Sequence, residues 1–363
     1  MARVTNFSDA VISFEDRMEG ELQAALSKRD TANFSWQDYD ELVDCVLSQF
    51  DGRLERRHFE YNLPAERQVA FGDYVPRDTQ IPLVYYEWPG PPDQTIICLG
   101  GIANSGRRFD YLGQFLSPQY RVVALDWAGR GQSGRLPELA DYHLEGHAWQ
   151  VEQLIERLNV KPALIIGSSL GAATVLHLNK QRPDLVNRVL FNDFGPFIPK
   201  ERRRRRAAAV ARHYVFRNPQ DIFRRMGAAK KNTEPLGDAA LLHHAHHLTR
   251  WSHDDQGRVY RHDLRALLAF REQAQDNLDL WDLWDCFDKP LLLLHGTLST
   301  SLEEKTVDLM LKSRDLQVIK VEGAGHTPSL SKTNQLEAIV RWMEGEIIPS
   351  VLPSTEVNRT LFL

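Results

Sequence analysis

Residues 167–171 read Gly-Ser-Ser-Leu-Gly and form a Gly-x-Ser-x-Gly pattern centred on Ser169. The pattern follows the apolar run 163–166 and precedes small residues that are typical of a helix start. A serine on a sharp strand-to-helix turn presents its hydroxyl at the edge of a sheet, and glycines permit so tight a turn. The first backbone N–H groups of the helix would face a developing oxyanion. We therefore predict that Ser169 is a nucleophile; the alternative is a glycine-rich turn without chemistry.

A histidine late in the chain could supply the base that such a serine needs. His326 lies in the glycine-rich segment 321–328, which follows a strand-like run and precedes a predicted helix. Serine first and histidine last is the chain order of one known arrangement of the serine–histidine–acid triad. We predict that His326 is the general base; an ordinary loop histidine is the alternative.

Four motifs in this order make the chain similar to the α/β-hydrolase superfamily over about residues 80–345. Residues 99–102 resemble the oxyanion loop of that family, with Gly100 in place of the usual histidine. Residues 126–133 resemble its Asp-x-x-Gly-x-Gly-x-Ser segment. The motifs around Ser169 and His326 are the other two. The resemblance implies that the backbone N–H groups of Ile102 and Leu170 form an oxyanion hole.

The acid of the triad is where the sequence departs from the family. By resemblance the acid follows the strand 290–296, but Thr300 stands there, and threonine carries no negative charge. A carboxylate could come from the end of the preceding strand as Asp193, or from the next helix as Glu303 or Glu304. The site could also work as a serine–histidine dyad. We favour Asp193, with Glu303 as the alternative acid, although Asp193 could instead cap a turn.

The remaining pattern predicts an α/β-hydrolase fold with a mostly parallel, eight-stranded sheet and helices on both faces. Several predicted strands are continuous apolar runs, as expected where both faces of a parallel sheet are covered. Ligands bind such sheets outside the carboxyl ends of the strands, where Ser169, Asp193 and His326 all fall. The predicted strands are residues 57–61, 82–88, 95–99, 121–126, 163–167, 188–193, 290–295 and 317–321.

We divide the chain into four parts. Residues 56–195 and 286–348 form the predicted catalytic domain. Residues 196–285 interrupt its strand–helix alternation and are predicted to be a helical cap, without strands, that covers the pocket. Residues 1–55 are predicted to be a helical extension that packs on the body of the protein. The tail, residues 349–363, lacks periodicity and is expected to lie along the surface or to be mobile.

Two motifs in the predicted cap have both a functional and a structural interpretation. The run 200–206 is strongly basic and favours a solvated helix face or a partner-binding patch over nucleic-acid binding. His243 and His247 have the i, i+4 spacing of metal ligands. The sequence offers no third ligand beside them, so we predict a structural role and no metal.

Composition narrows the class of protein further. The 363 residues carry a net charge of −5, which favours neither nucleic acid nor an anionic membrane as partner. Three widely spaced cysteines suggest no disulfide framework, and no apolar run is long enough for a signal peptide or a membrane span. We expect a cytoplasmic protein, without a cofactor, that takes a small ester-like substrate and could form a homo-oligomer.

These observations and the resemblance predict a serine hydrolase of the carboxylesterase or lactonase kind, which works through an acyl-enzyme intermediate. Two alternatives stay open. The first is a carbon–carbon bond hydrolase of the meta-cleavage type, which shares the cap and the serine turn. The second is a catalytically weakened, ligand-binding homologue, suggested by Thr300 and by Gly100.

Overall fold

The computed structural model describes residues 8–29, 34–63, 80–230, 234–354, 357 and 359–362. Nine of its strands form one sheet: β1 (Glu55–Asn62), β2 (Gln80–Trp88), β3 (Thr95–Leu99), β4 (Arg121–Leu125), β5 (Leu164–Ser168), β6 (Val189–Asn192), β12 (Leu291–Gly296), β13 (Gln317–Val321) and β14 (Val351–Leu352). Their order in the sheet is β1-β2-β4-β3-β5-β6-β12-β13-β14; β2 pairs antiparallel with both neighbours, and the other pairs are parallel. The mostly parallel sheet that the sequence predicted is therefore confirmed, with one strand more than expected.

Alternate residues of the central strands belong to two different apolar clusters, which explains their continuous apolar sequences. In β3, Ile97 and Leu99 pack in one cluster, whereas Ile96 and Cys98 pack in the other. Helices α4 (Leu144–Leu158) and α5 (Leu170–Gln181) contribute to the first cluster. Helices α3 (Asp110–Leu116) and α12 (Thr333–Glu344) contribute to the second. The sheet is thus covered on both faces, with α11 (Glu304–Ser313) between β12 and β13.

The segment between β6 and β12 contains helices and short strands. The helices are α6 (Lys200–Val210), α7 (Pro219–Lys230), α8 (Asp238–Leu248), α9 (Leu264–Gln273) and α10 (Trp281–Asp285). The strands are β7 (Phe197–Ile198), β8 (Val215–Phe216), β9 (Thr249–Ser252), β10 (Gly257–Tyr260) and β11 (Leu278–Asp279). β7 pairs with β11, and β8, β10 and β9 form a small antiparallel sheet. The prediction of a segment without strands is therefore wrong, because strands of two to four residues are too short to leave a periodic signal.

The N-terminal helices pack against this inserted segment. Helix α1 (Ser8–Leu26) and helix α2 (Trp36–Leu47) share an apolar cluster with α7 and α8. Ser35 caps α2, because its hydroxyl accepts from the backbone N–H of Asp38. No helix in the described parts of the chain combines the length and the apolar character needed to cross a membrane.

The C-terminal tail is part of the fold, which corrects the expectation that it lies along the surface or is mobile. Val351 and Leu352 extend the main sheet as β14, parallel to β13. Phe362 is fully buried, and its ring centroid lies 5.0 Å from that of Phe223 in α7. The backbone N–H of Leu361 donates to Asp238 at 2.8 Å. The tail therefore links the sheet to the cluster that joins the N-terminal helices and the insertion.

Candidate active site

Ser169 stands on a strained turn between β5 and α5. Its φ of +52° lies in the left-handed region, which non-glycine residues rarely adopt. A Cβ on Gly171 would lie 2.3 Å from the carbonyl oxygen of Leu99, and one on Gly167 would lie 2.6 Å from the backbone of Ala172. Both positions therefore exclude a side chain, which explains the Gly-x-Ser-x-Gly pattern. The turn places Ser169 in the wall of a cavity that His326 also lines.

His326 is paired with Asp193. The Nδ1 atom of His326 lies 2.8 Å from Oδ2 of Asp193, which is the first residue after β6 and is 1% exposed. A carboxylate can only accept, so Nδ1 of His326 donates and its Nε2 is left as a proton acceptor. This is the tautomer that a general base for a serine needs. The structure thus brings together the histidine and the carboxylate that the sequence favoured.

A second imidazole, that of His295, also contacts Asp193. Its Nδ1 lies 2.9 Å from Oδ1 of Asp193, and the hydroxyl of Ser299 donates to Oδ2 at 2.6 Å. The backbone N–H of Gly296 adds a contact of 3.2 Å to Oδ1. Burial raises the pKa of the Asp193 carboxyl, but hydrogen bonds from His295, His326 and Ser299 outweigh it and leave the pKa below its usual value. Asp193 is thereby held as an anion in a fixed orientation.

The other candidate acids have different partners. Glu303 forms ion pairs with Arg202 at 2.6 Å and with Lys305 at 2.7 Å. Glu304 pairs with Lys320 at 2.9 Å, and Thr300 is exposed. In the described chain, neither glutamate forms an ion pair or a hydrogen bond with His326.

The loop after β3 and the start of α5 contribute Ile102 and Leu170 to the wall of the cavity that Ser169 also lines. Arg130 donates from Nε to the carbonyl of Ile102 at 3.0 Å, and Trp127 donates from Nε1 to the carbonyl of Gly100 at 2.9 Å. Neither amide donates to another loop or turn of the described chain. The oxyanion hole formed by the N–H groups of Ile102 and Leu170 stays a prediction.

Buried polar groups hold the surrounding loops in place. Asp126, fully buried, accepts from the hydroxyl of Ser105 at 2.9 Å and from the backbone N–H groups of Gly106 and Gln132 at 2.6 and 2.8 Å. Burial raises its pKa, and these hydrogen bonds only partly offset the effect. Asp126 therefore fastens the loop after β3 to the loop after β4, which explains why the segment 126–133 begins with aspartate.

The loop of His326 is fastened in a similar way. Asn192, fully buried at the end of β6, donates to the hydroxyl of Ser168 at 3.1 Å and to the carbonyl of Pro328 at 2.8 Å. Arg108 donates to the carbonyls of Thr327 and Pro328 at 3.1 and 3.0 Å. One asparagine therefore links the residue before Ser169 to the loop that carries His326.

The cavity is lined by both apolar and basic residues. Apolar lining comes from residues such as Leu144, Phe194 and Phe270, and basic lining comes from arginines of α6. His147 also lines it; its Nδ1 donates to the carbonyl of His143 at 2.6 Å, and its Nε2 is buried without a partner in the described chain. Burial, reinforced by the charge of Arg130, lowers the pKa of His147 to about 3, so this imidazole is neutral.

One group of side chains in the described residues has the arrangement of a possible metal site. One ligand atom from each of Asp110, His243 and His247 lies within 4.8 Å of the others. The third partner that the sequence did not reveal is thus Asp110. Its carboxylate, however, accepts from His243 Nε2 at 2.8 Å and binds Arg107 at 2.5 Å. A cation and an imidazole already satisfy this carboxylate without an ion, and the absence of a metal stays a prediction.

Sequence reasoning did not identify His295 as a partner of Asp193, and it did not reveal that arginines of α6 line the cavity. His295 is a polar residue at the carboxyl end of an otherwise apolar strand, which was the available signal. Arg202 and Arg206 are spaced i, i+4 and so share one helix face. Only the folded chain reveals what that face meets.

Comparisons with known proteins agree with this architecture. The family model described as alpha/beta hydrolase fold matches residues 94–333. A 3-hydroxybutyrate-oligomer hydrolase of Cupriavidus necator is 26% identical over 277 residues, which cover 72% of this chain and 93% of that protein. A serine hydrolase-like protein of Dictyostelium discoideum is 25% identical over 237 residues, 61% of this chain and 65% of that protein. The crystal structure of a putative hydrolase from Rickettsia typhi shares the fold, with a TM-score of 0.71, 19% identity, and coverage of 81% of this chain and 99% of that one. The chain belongs to the α/β-hydrolase family.

Proposed function

We propose that this protein is a serine hydrolase that cleaves a carboxylic ester or lactone through an acyl-enzyme intermediate. The observation that carries the proposal is the 2.8 Å contact between His326 Nδ1 and Asp193, with Ser169 and His326 in the wall of one cavity. The similarity to a 3-hydroxybutyrate-oligomer hydrolase supports it, because oligomers of a hydroxy acid are joined by ester bonds.

The proposed reaction has two halves. His326 Nε2 takes the proton of Ser169 while the serine oxygen attacks the carbonyl carbon, and the imidazolium then protonates the leaving alcohol. Water, activated by the same imidazole, releases the acid and restores the serine. Asp193 holds the imidazole tautomer and stabilises its cation. The N–H groups of Ile102 and Leu170 stabilise the oxyanion, and each is worth about 3 kcal/mol in the transition state.

The proposed weakened, ligand-binding alternative has less support. It rested on Thr300 at the position of the family's acid and on Gly100. The buried carboxylate of Asp193 beside His326 supports the active enzyme, because it is an acid that does not depend on Thr300. A cytoplasmic location remains a proposal, based on the three unpaired cysteines.

Replacement of Ser169 tests the proposal. We expect Ser169→Ala to abolish hydrolysis of short p-nitrophenyl esters and labelling by a fluorophosphonate probe, with an unchanged circular dichroism spectrum. Ser301→Ala is the matched control, because Ser301 lines the same cavity but has no proposed chemical role. It should keep both activities. Turnover of Ser169→Ala within tenfold of wild type would rule out Ser169 as the nucleophile.

A further inference from the structure

The basic run of the sequence is divided between two faces of helix α6. Arg202, Arg203 and Arg206 line the cavity that contains Ser169 and His326. Arg204 and Arg205 are exposed and do not line it. The run is therefore more than a solvated helix face, since three of its arginines line the cavity of the proposed reaction site.

These three arginines have few partners. Arg202 forms an ion pair through one nitrogen with Glu303, which also pairs with Lys305. The Nη1 atom of Arg202 is buried without a partner in the described chain. Arg203 donates to the backbone carbonyl of Asp276 at 2.6 Å, a contact that does not neutralise its charge.

Arg206 has no partner at all among the described residues: neither a hydrogen bond nor an ion pair involves its guanidinium. Its side chain is exposed, and it forms part of the cavity wall. This arginine is therefore a cation in the cavity wall that lacks a counter-charge among the described residues.

Among the described residues that line the cavity there is no aspartate and no glutamate, whereas three arginines line it. A guanidinium presents a planar fork of donors that matches a carboxylate. The missing partner is therefore expected to arrive with the ligand.

We propose that the substrate carries a free carboxylate, which binds Arg206 with help from the unpartnered Nη1 of Arg202. The ligand class is an acidic ester: a half-ester of a dicarboxylic acid, or an ester of a hydroxy acid with its own carboxyl group free. This inference rests on the proposed function for the reaction, whereas the carboxylate subsite can be measured without turnover.

Three esters of nearly equal shape test the preference. Ethyl butyrate is the neutral reference. Monoethyl succinate replaces the terminal methyl of its acyl chain by a carboxylate, and O-butyrylglycolate replaces the methyl of its alcohol. Titration of released acid follows all three. We expect wild type to favour at least one of the two acidic esters over ethyl butyrate by tenfold or more in kcat/KM, and the favoured one tells on which side of the scissile bond the carboxylate lies.

Variants of α6 connect that preference to one residue. Arg206→Gln should lower the ratio of kcat/KM for the favoured acidic ester to that for ethyl butyrate by at least tenfold. Arg206→Lys should lower it less, because it keeps the charge and loses the fork. Arg205→Gln removes an exposed charge from the same helix and should leave the ratio at its wild-type value. A ratio that Arg206→Gln does not change would overturn the proposal.

Binding of succinate to Ser169→Ala, measured by calorimetry, separates the two proposals. One outcome is that Ser169→Ala binds succinate, that the double variant Ser169→Ala/Arg206→Gln does not, and that the wild-type protein cleaves none of the three esters. This outcome would support the carboxylate subsite and count against the proposed function. Rapid cleavage of ethyl butyrate without succinate binding and without preference for acidic esters would leave ester hydrolysis intact and overturn the subsite.

Discussion

Asp193 contacts two imidazoles at once. Each carboxylate oxygen accepts from a different Nδ1, that of His326 at 2.8 Å and that of His295 at 2.9 Å. Of these two histidines, His326 lines the cavity of Ser169 and His295 does not, so His295 is a positioning group for the carboxylate. The Nε2 of His295 lies 3.6 Å from Glu304, which in turn pairs with Lys320. The acid is thus fixed from the side that faces away from the proposed reaction.

The role of Asp193 can be measured through the tautomer it selects. We expect Asp193→Asn to lower turnover of a p-nitrophenyl ester by about 10³ to 10⁴, because an amide can stabilise the wrong tautomer of His326. Thr300→Val changes an exposed residue and should keep turnover within twofold of wild type. A nearly silent Asp193→Asn together with an inactive Glu303→Gln would identify Glu303 as the acid instead.

At the scale of elements, the order of strands explains what the sequence could and could not predict. The pairing of β6 with β12 brings the end of one strand, at Asp193, beside the end of the other, at His295. Apolar runs predict that each strand exists but not which strand lies beside it. Asp193 could therefore be proposed as an acid from its position at a strand end, whereas its second imidazole could not be found.

Short or irregular elements could not be predicted from the sequence for a different reason. The strands between β6 and β12 are two to four residues long and are defined by their pairing partners rather than by periodicity. The tail has the same character, since β14 is two residues long and only Leu361 and Phe362 of the described tail pack in the apolar cluster of the N-terminal helices. Tertiary contacts, which no local pattern encodes, hold these elements.

The anchoring of the tail gives a prediction for stability. Phe362→Ala should lower the free energy of unfolding by about 3 to 4 kcal/mol, because it leaves a cavity between the N-terminal helices and the insertion. Ile347→Ala, at a site that is 94% exposed, is the control and should change it by less than about 0.5 kcal/mol. Urea denaturation followed by tryptophan fluorescence measures both. Equal midpoints for Phe362→Ala and wild type would mean that the tail does not stabilise the fold.

At the scale of the whole molecule, the folded protein keeps several histidine side chains in their neutral form. Burial is the main cause for three of them: it lowers the pKa of His147 and of His246 to about 3, and that of His262 to about 4. Nearby arginines act in the same direction on all three. In the unfolded chain these imidazoles titrate near pH 6.5. Folding therefore opposes the uptake of several protons in mildly acidic solution.

The stability of the protein should consequently fall as the solution is acidified. Between the unfolded pKa and the lower folded pKa, the unfolded chain binds a proton that the folded chain does not, so stability is lost as the pH falls through this window. For His147, 2% exposed, the loss between pH 7.5 and 5 is about 2 kcal/mol. Urea midpoints across this range measure the loss. His147→Phe should flatten the pH dependence of the stability by that amount, because an apolar ring binds no proton in either state. An identical slope in His147→Phe and wild type would show that His147 takes up its proton in the folded state at ordinary pH, and that its imidazole is available to the cavity as a cation.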